Sequence, residues 1–278
     1  MHLLIFGLGY TATRVAAAFS DQGGTVAPTT RDGRAGTLRF DDAAAVSAQV
    51  AAATHILSSV PPEGDADPVL LAYGPQIARS SAWLGYLSST GVYGDAGGAW
   101  VDESTPTGAG RRSARTRADA DWLQLGARVF RLPGIYGPGR SALDRVREGK
   151  AHLVDSPGQV FSRVHVDDIV SGVLAALTGP PGAYNLADDQ PCAQNEVIVF
   201  AARLLGLDPP DFKPLAELSP MARAFYAENR RVANGRAKRV LGWTPRCPDY
   251  RTGLRALSAI TSPTPVSAAP PAASADQR

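Results

Sequence analysis

Apolar residues open the chain as a run of strand length, Leu3-Leu4-Ile5-Phe6, which breaks at Gly7-Leu8-Gly9 and gives way to a helical spacing at Val15, Ala16, Ala17 and Phe19. This change of period, from buried strand to amphipathic helix, recurs along the sequence. Strands are expected at Thr25–Thr30, Thr37–Phe40, His55–Val60, Trp83–Leu87, Ala127–Leu132, Phe161–Val166 and Gly182–Leu186. Pro28 weakens the second of these, because it removes a ladder donor. Between the strands lie an Ala-rich helix capped by Asp41 or Asp42, and helices from Val69 to Arg79, Arg111 to Gly126 and Ser141 to Gly149. Asp167-Asp168 is expected to cap a helix through Leu177, and residues 192–206 form an amphipathic one. Met221–Arg239, which holds Arg223, Arg230, Arg231, Arg236 and Arg239, is expected to be a solvated helical face with a segment closing over the substrate. Strands alternating with helices predict an α/β protein: a Rossmann-type, doubly wound parallel sheet of about seven strands.

Composition narrows the class. At 278 residues the chain can bury one large domain or one plus a smaller lobe. A net charge of +2 gives no drive toward nucleic acid or an anionic membrane, and neither partner is expected. Cys192 and Cys247 form no C-x-x-C, and the four histidines (His2, His55, His152, His165) lack ligand spacing, so no metal is expected. Without a basic, apolar leader or a run of transmembrane length, the expected compartment is the cytoplasm. Residues 261–278 are rich in Pro, Ala and Ser, the composition of a disordered tail.

Gly7-Leu8-Gly9-Tyr10-Thr11-Ala12 is a G-x-G-x-x-A placed between a strand and a helix, the setting in which that spacing holds a dinucleotide. Gly7 permits the tight turn, Gly9 lets backbone approach a pyrophosphate, and Ala12 allows close helix–strand packing. At the end of the second strand, Arg31 offers a charged fork for a 2′-phosphate and Thr30 a hydroxyl, which favours NADP(H); Asp32 keeps NAD(H) possible. Ser58, Ser59, Val60 and Pro61 leave the fourth strand on the side where ligands bind. So do Ser88, Ser89 and Thr90 on the fifth, whose hydroxyls can polarise a substrate carbonyl.

Leu87-Ser88-Ser89-Thr90-Gly91-Val92-Tyr93-Gly94 resembles the S-S/T-x-x-V-Y-G signature of the extended short-chain dehydrogenase/reductase superfamily. Arg131–Arg140, Arg163–Ile169, Tyr184–Asp188 and Lys238–Pro245, the last resembling L-G-W-x-P, follow in the order of that NAD-dependent epimerase/dehydratase-like family. The resemblance implies a cofactor-binding domain of residues 1–137 plus 163–190. It also implies a small discontinuous substrate lobe of 138–162 plus 191–260, with 261–278 as the tail. It places the catalytic Ser/Thr on Ser89 and nicotinamide contacts on Leu132, Pro133 and Gly134. Thr90, Tyr136 and Arg140 fall to the substrate.

The family's Tyr-x-x-x-Lys falls, by count, on Ser113 and Arg117, with Asp121 as the acidic residue four further on. Serine is too weak an acid to replace a phenol, and arginine does not release a proton. Tyr93 and Tyr136 are the nearest phenols by motif, and His165 is the only imidazole in a signature segment. The chain is therefore identified as an atypical member, expected to be an NAD(P)-dependent oxidoreductase or epimerase-like enzyme acting on a small polar substrate as a monomer or homodimer. The alternative is a catalytically silent NADP(H)-binding regulator or sensor.

Overall fold

The structure, a computed structural model, describes residues 1–108 and 113–261. Its strands are β1 His2–Phe6, β2 Thr25–Thr30, β3 Leu38–Arg39, β4 His55–Ser58, β5 Trp83–Ser89, β6 Trp100–Val101, β7 Arg128–Leu132, β8 Gly134–Tyr136, β9 Arg163–His165, β10 Gly182–Asn185 and β11 Arg231–Val232. Its α-helices are α1 Tyr10–Asp21, α2 Ala43–Ala52, α3 Pro68–Arg79, α4 Ser113–Gln124, α5 Ala142–Arg147, α6 Val166–Ala175, α7 Gln194–Leu204, α8 Pro220–Tyr226, α9 Gly235–Leu241 and α10 Tyr250–Thr261.

Seven strands form one parallel sheet in the order β10-β7-β5-β4-β1-β2-β3, as the alternation predicts. The chain runs outward from β1 in one direction through β2 and β3, then restarts beside β1 at β4 and runs the other way. The crevice at that reversal is where such sheets bind ligands. Pro28 is tolerated because β3 pairs only with Thr29 and Thr30, leaving Pro28 beside an open edge.

Both faces of the sheet are covered, so the strands alternate between two apolar layers. Leu3 and Ile5 pack with α1 and α6 residues such as Val15, Phe19, Ile169 and Val173. Leu4 and Phe6 turn the other way, onto Val50, Tyr73, Ile77 and Trp122 of α2, α3 and α4. Asp67 joins two of those helices: it caps α3 through the Val69 and Leu70 amides and accepts from the Trp122 indole at 3.0 Å. A third cluster unites α5, α7 and α10 through Leu143, Val197, Ala201 and Leu254.

Two expectations are corrected. The Asp167-Asp168 pair does not cap α6. His165 does, its Nδ1 accepting from the Asp167 amide, and burial lowers its pKa. Asp168 lies within the first turn, 1% exposed, and accepts from the Arg246 and Cys247 amides at 2.7 and 3.1 Å. Met221–Arg239 is not one helix: α8 and α9 are separated by β11, which pairs with β6. Arg111, Arg112 and the stretch 262–278 lie outside the described residues. Among the described residues, no helix is long and apolar enough to cross a membrane.

Candidate functional site

Two cavities of about 460 Å³ each meet at Gly9 and Ser59, making a continuous groove over the carboxyl ends of the strands. The first half is built from backbone. Gly7 turns the chain at φ +82°, in the left-handed region that favours glycine. Its amide donates to the Thr29 carbonyl at 3.2 Å, and its carbonyl accepts from Ser59 Oγ at 2.6 Å. A methyl on Gly7 would stand 3.0 Å from Val60 Cγ2. A methyl on Gly9 would meet nothing within 4 Å, because Gly9 borders the groove. No side chain caps α1, so the amides of its first turn face the groove with the positive end of the helix dipole. The turn and these amides have the chemistry to hold a pyrophosphate, so the residues present fit a dinucleotide.

Around the cradle lie Leu8, Thr30, Arg31, Val60 and Pro61, together with Asp32 and Arg34. Arg34 is an addition that the proximity of a second arginine to Arg31 in the same glycine-rich loop could have signalled. Thr30 lines the groove, but its hydroxyl is engaged with Thr37 Oγ1 at 2.6 Å, the Gly33 amide at 3.0 Å and Asp32 at 3.2 Å. Ser58 is fully buried beneath the floor and does not line the groove.

The second half gathers Tyr10, Thr11, Ala12, Ser88, Ser89 and Thr90 with Leu132, Pro133, Gly134 and Arg140. The Ser88 hydroxyl donates to Asp119 Oδ2 at 2.6 Å, and Asp119 holds Arg131 in a buried two-point pair at 2.7 and 3.1 Å. Ser89 Oγ accepts from the Gly91 amide at 3.2 Å, which leaves its proton for a ligand. Tyr10 donates to the Pro138 carbonyl at 3.1 Å. Burial raises the Tyr10 pKa against the opposing pull of Arg14 and Arg140.

Several predicted residues are not brought here. Tyr93 is buried behind the groove, donating to Asn185 Oδ1 at 2.8 Å and accepting from Arg131 at 3.0 Å, and burial pushes its pKa up to about 12. Tyr136 lines an adjoining cavity of about 410 Å³, and Arg140 borders both spaces. Ser113 is exposed and absent from the lining, and Arg117 turns away to donate to the Asp65 carbonyl at 2.9 Å. The inward face of α4 carries Arg115, Ala118, Asp119 and Trp122, so Arg115 is the helix's guanidinium in the groove, bonded to the Tyr86 hydroxyl at 2.7 Å. Asp119, not Asp121, is the buried carboxylate, four positions after Arg115. The Tyr-x-x-x-Lys count along this helix is thus displaced by two residues, because polar groups occupy its buried face. Glu228, Arg230 and Phe225 complete the far wall, brought over by the segment after α8.

No protein-family profile matches the chain. Its structure is similar to that of a functionally unknown conserved protein from Silicibacter pomeroyi DSS, at 42% identity and TM-score 0.83, covering 93% of this chain and 98% of that one. It is also similar in fold to human epimerase family protein SDR39U1 (isoform 2) with NADPH, at 17% identity and TM-score 0.72, covering 93% and 99%. In sequence it is 35% identical over 142 residues to a Streptomyces 3-diazoavenalumate denitrifying reductase, covering 47% of this chain and 46% of the relative. The chain spans about half the length of the curated relatives it matches.

Proposed function

The chain belongs to the same family as the Silicibacter pomeroyi protein and has the fold of the atypical extended short-chain dehydrogenases/reductases, and from that premise we propose that it is an NAD(P)-dependent oxidoreductase. The observation that carries this reading is the groove itself, which runs from Arg31, past the uncapped start of α1, to Ser89. We assign the dinucleotide to Gly7–Ala12, with adenosine against Ser59–Pro61 and nicotinamide against Leu132–Gly134. Arg31 and Arg34 favour a 2′-phosphate, hence NADP(H). Residues 1–137 plus 163–190 form the cofactor domain, and 138–162 plus 191–260 the substrate lobe.

A nicotinamide bound there supplies or accepts a hydride. The chain's own contribution is positioning and charge. Ser89 and Thr90 present hydroxyls to a substrate oxygen, Arg115 adds a fixed positive charge, and Arg140 meets an anionic group. Among the described residues, Tyr10 is the one phenol in the lining of this half, and no lysine or histidine lines it. Tyr10 has its hydroxyl on the Pro138 carbonyl and Glu228 is paired with Arg230, so a proton for the product comes from water or from the substrate. That same commitment of the lining's phenol and carboxylate to protein partners supports the second reading, a silent cofactor-binding regulator.

Calorimetry with NADPH and NADH tests the shared part of both readings, and no heat with either sinks them together. NADPH oxidation across a panel of carbonyl and imine acceptors separates them. Turnover that disappears in Ser89→Ala supports the enzyme; tight binding with no turnover supports the regulator.

A further inference from the structure

The substrate half of the groove has an uneven chemistry. Its outer wall is apolar, made by Ile135, Val160, Phe161, Phe225 and Val232. Its polar lining is mainly hydroxyls, at Ser88, Ser89, Thr90 and Ser162, and guanidiniums, at Arg115, Arg140 and Arg230. Among the described residues, no Asn, Gln, Asp, His or Lys lines this half, and its single carboxylate, Glu228, is paired with Arg230 at 2.9 Å. The aromatic and aliphatic wall suits a flat apolar body, and the hydroxyls and guanidiniums suit its polar end.

At the junction with the second cavity stands Arg140. No carboxylate or carbonyl among the described residues accepts from its guanidinium, which lies 5.6 Å from the centroid of the Tyr10 ring. The neighbouring Arg230 is bound to Glu228 and to the Gly94 carbonyl, and Arg115 to Tyr86 and Leu87. Arg140 is thus the cation of this half that is open to a new anion, and its fork matches a carboxylate.

We infer that the substrate is a planar aromatic carboxylic acid, its ring between the apolar wall and the Ser88–Thr90 strand end and its carboxylate on Arg140. This rests on the reading of the groove as a dinucleotide site. Phe161 and Phe225 supply ring contacts, and the shared doorway lets the acid end reach toward the second cavity.

The test is calorimetry on the full chain saturated with NADP⁺, using trans-cinnamate, cinnamamide and UDP-glucose as probes. Cinnamate is expected to bind at least about tenfold more tightly than the other two, the size of one charge-assisted, two-point contact. Arg140→Gln is expected to erase that advantage, and Phe225→Ala to weaken cinnamate and cinnamamide alike. Equal affinity for acid and amide, tighter binding of UDP-glucose, or no binding of cinnamate to the loaded protein overturns the inference while leaving the cofactor site standing. Failure of NADP⁺ and NADPH to bind at all overturns the site reading on which it rests.

Discussion

The two halves of the groove are made in different ways. The nucleotide half is backbone built by neighbours in sequence: Gly7 to Ala12 follow β1, Thr29 to Arg34 follow β2, and Ser59 to Pro61 follow β4. Three strand ends are locked together by the Gly7–Thr29 and Ser59–Gly7 hydrogen bonds. The substrate half is side chains collected from remote stretches. Val232 donates to Ser162 Oγ at 2.9 Å, Gln159 to the Glu228 carbonyl at 2.9 Å, and Asn229 to the Gly158 carbonyl at 3.0 Å. A phosphate presents one shape, so main-chain amides suffice for it. A substrate varies, and side chains on separate segments change without disturbing the cradle.

The largest effect is expected where the halves join. Asp119 neutralises Arg131 and receives the Ser88 hydroxyl, all out of solvent. Asp119→Ala leaves a buried guanidinium without its counter-charge, a loss of about 3–5 kcal/mol. Urea unfolding is expected to show that loss, and a cost below about 1 kcal/mol would deny the pair its structural role. If the halves share this girder, both cofactor and substrate binding weaken together.

The second prediction concerns a buried carboxyl that lines neither half of the groove. Burial pushes the Asp188 carboxyl up to about 8, so the native chain keeps a proton that the unfolded chain, titrating near 4, has released. Its contribution to stability is complete below about pH 4 and is lost as the pH rises toward about 8. Asp188→Asn holds the neutral form at every pH. Its melting temperature, relative to the parent chain, is expected to climb between about pH 5 and 8, with NADPH affinity unchanged. A pH-independent difference would show that this carboxyl titrates normally.

Legibility in the sequence divides along the same line. The sheet, the glycine cradle and the strand ends come from short-range signals: a period of two, a period of 3.6 and glycine at a turn. Helix α4 defeats that logic because two polar residues, Arg115 and Asp119, share its inward face with Ala118 and Trp122. Asp119 and Asp121 look alike in sequence, and only the position of Arg131, twelve residues on, tells them apart. Asp168 looks like a cap until the amides of residues 246 and 247 arrive. The break of Met221–Arg239 into α8, β11 and α9 depends on β6, more than a hundred residues earlier. Long-range partners decide these, and no local pattern carries them.

A smaller effect should separate two cofactors in the nucleotide half. Arg31 lines the groove beside Asp32 and Arg34. Arg31→Glu replaces a phosphate-binding fork by a like charge, and about a tenfold to hundredfold loss of NADPH affinity is expected, with NADH nearly untouched. Equal losses for both cofactors would remove the 2′-phosphate from this loop.

The smallest effects test the register of α4, and with it how much of the substrate half is helix-borne. Arg117 is exposed and donates to the Asp65 carbonyl, away from the groove. Arg117→Ala is expected to change stability by less than about 0.5 kcal/mol and to leave NADPH and substrate affinities where they were. Arg115 lies half-buried in the groove, and Arg115→Ala removes its bonds to the Tyr86 hydroxyl and the Leu87 carbonyl, at a cost of about 1 kcal/mol. The two substitutions remove the same side chain two residues apart on one helix, so helix propensity and net charge cancel in the comparison. What remains is the direction each position faces. A loss of cofactor affinity in Arg117→Ala with none in Arg115→Ala would return the basic residue of the Tyr-x-x-x-Lys count to position 117 and rotate the helix out of the arrangement described above.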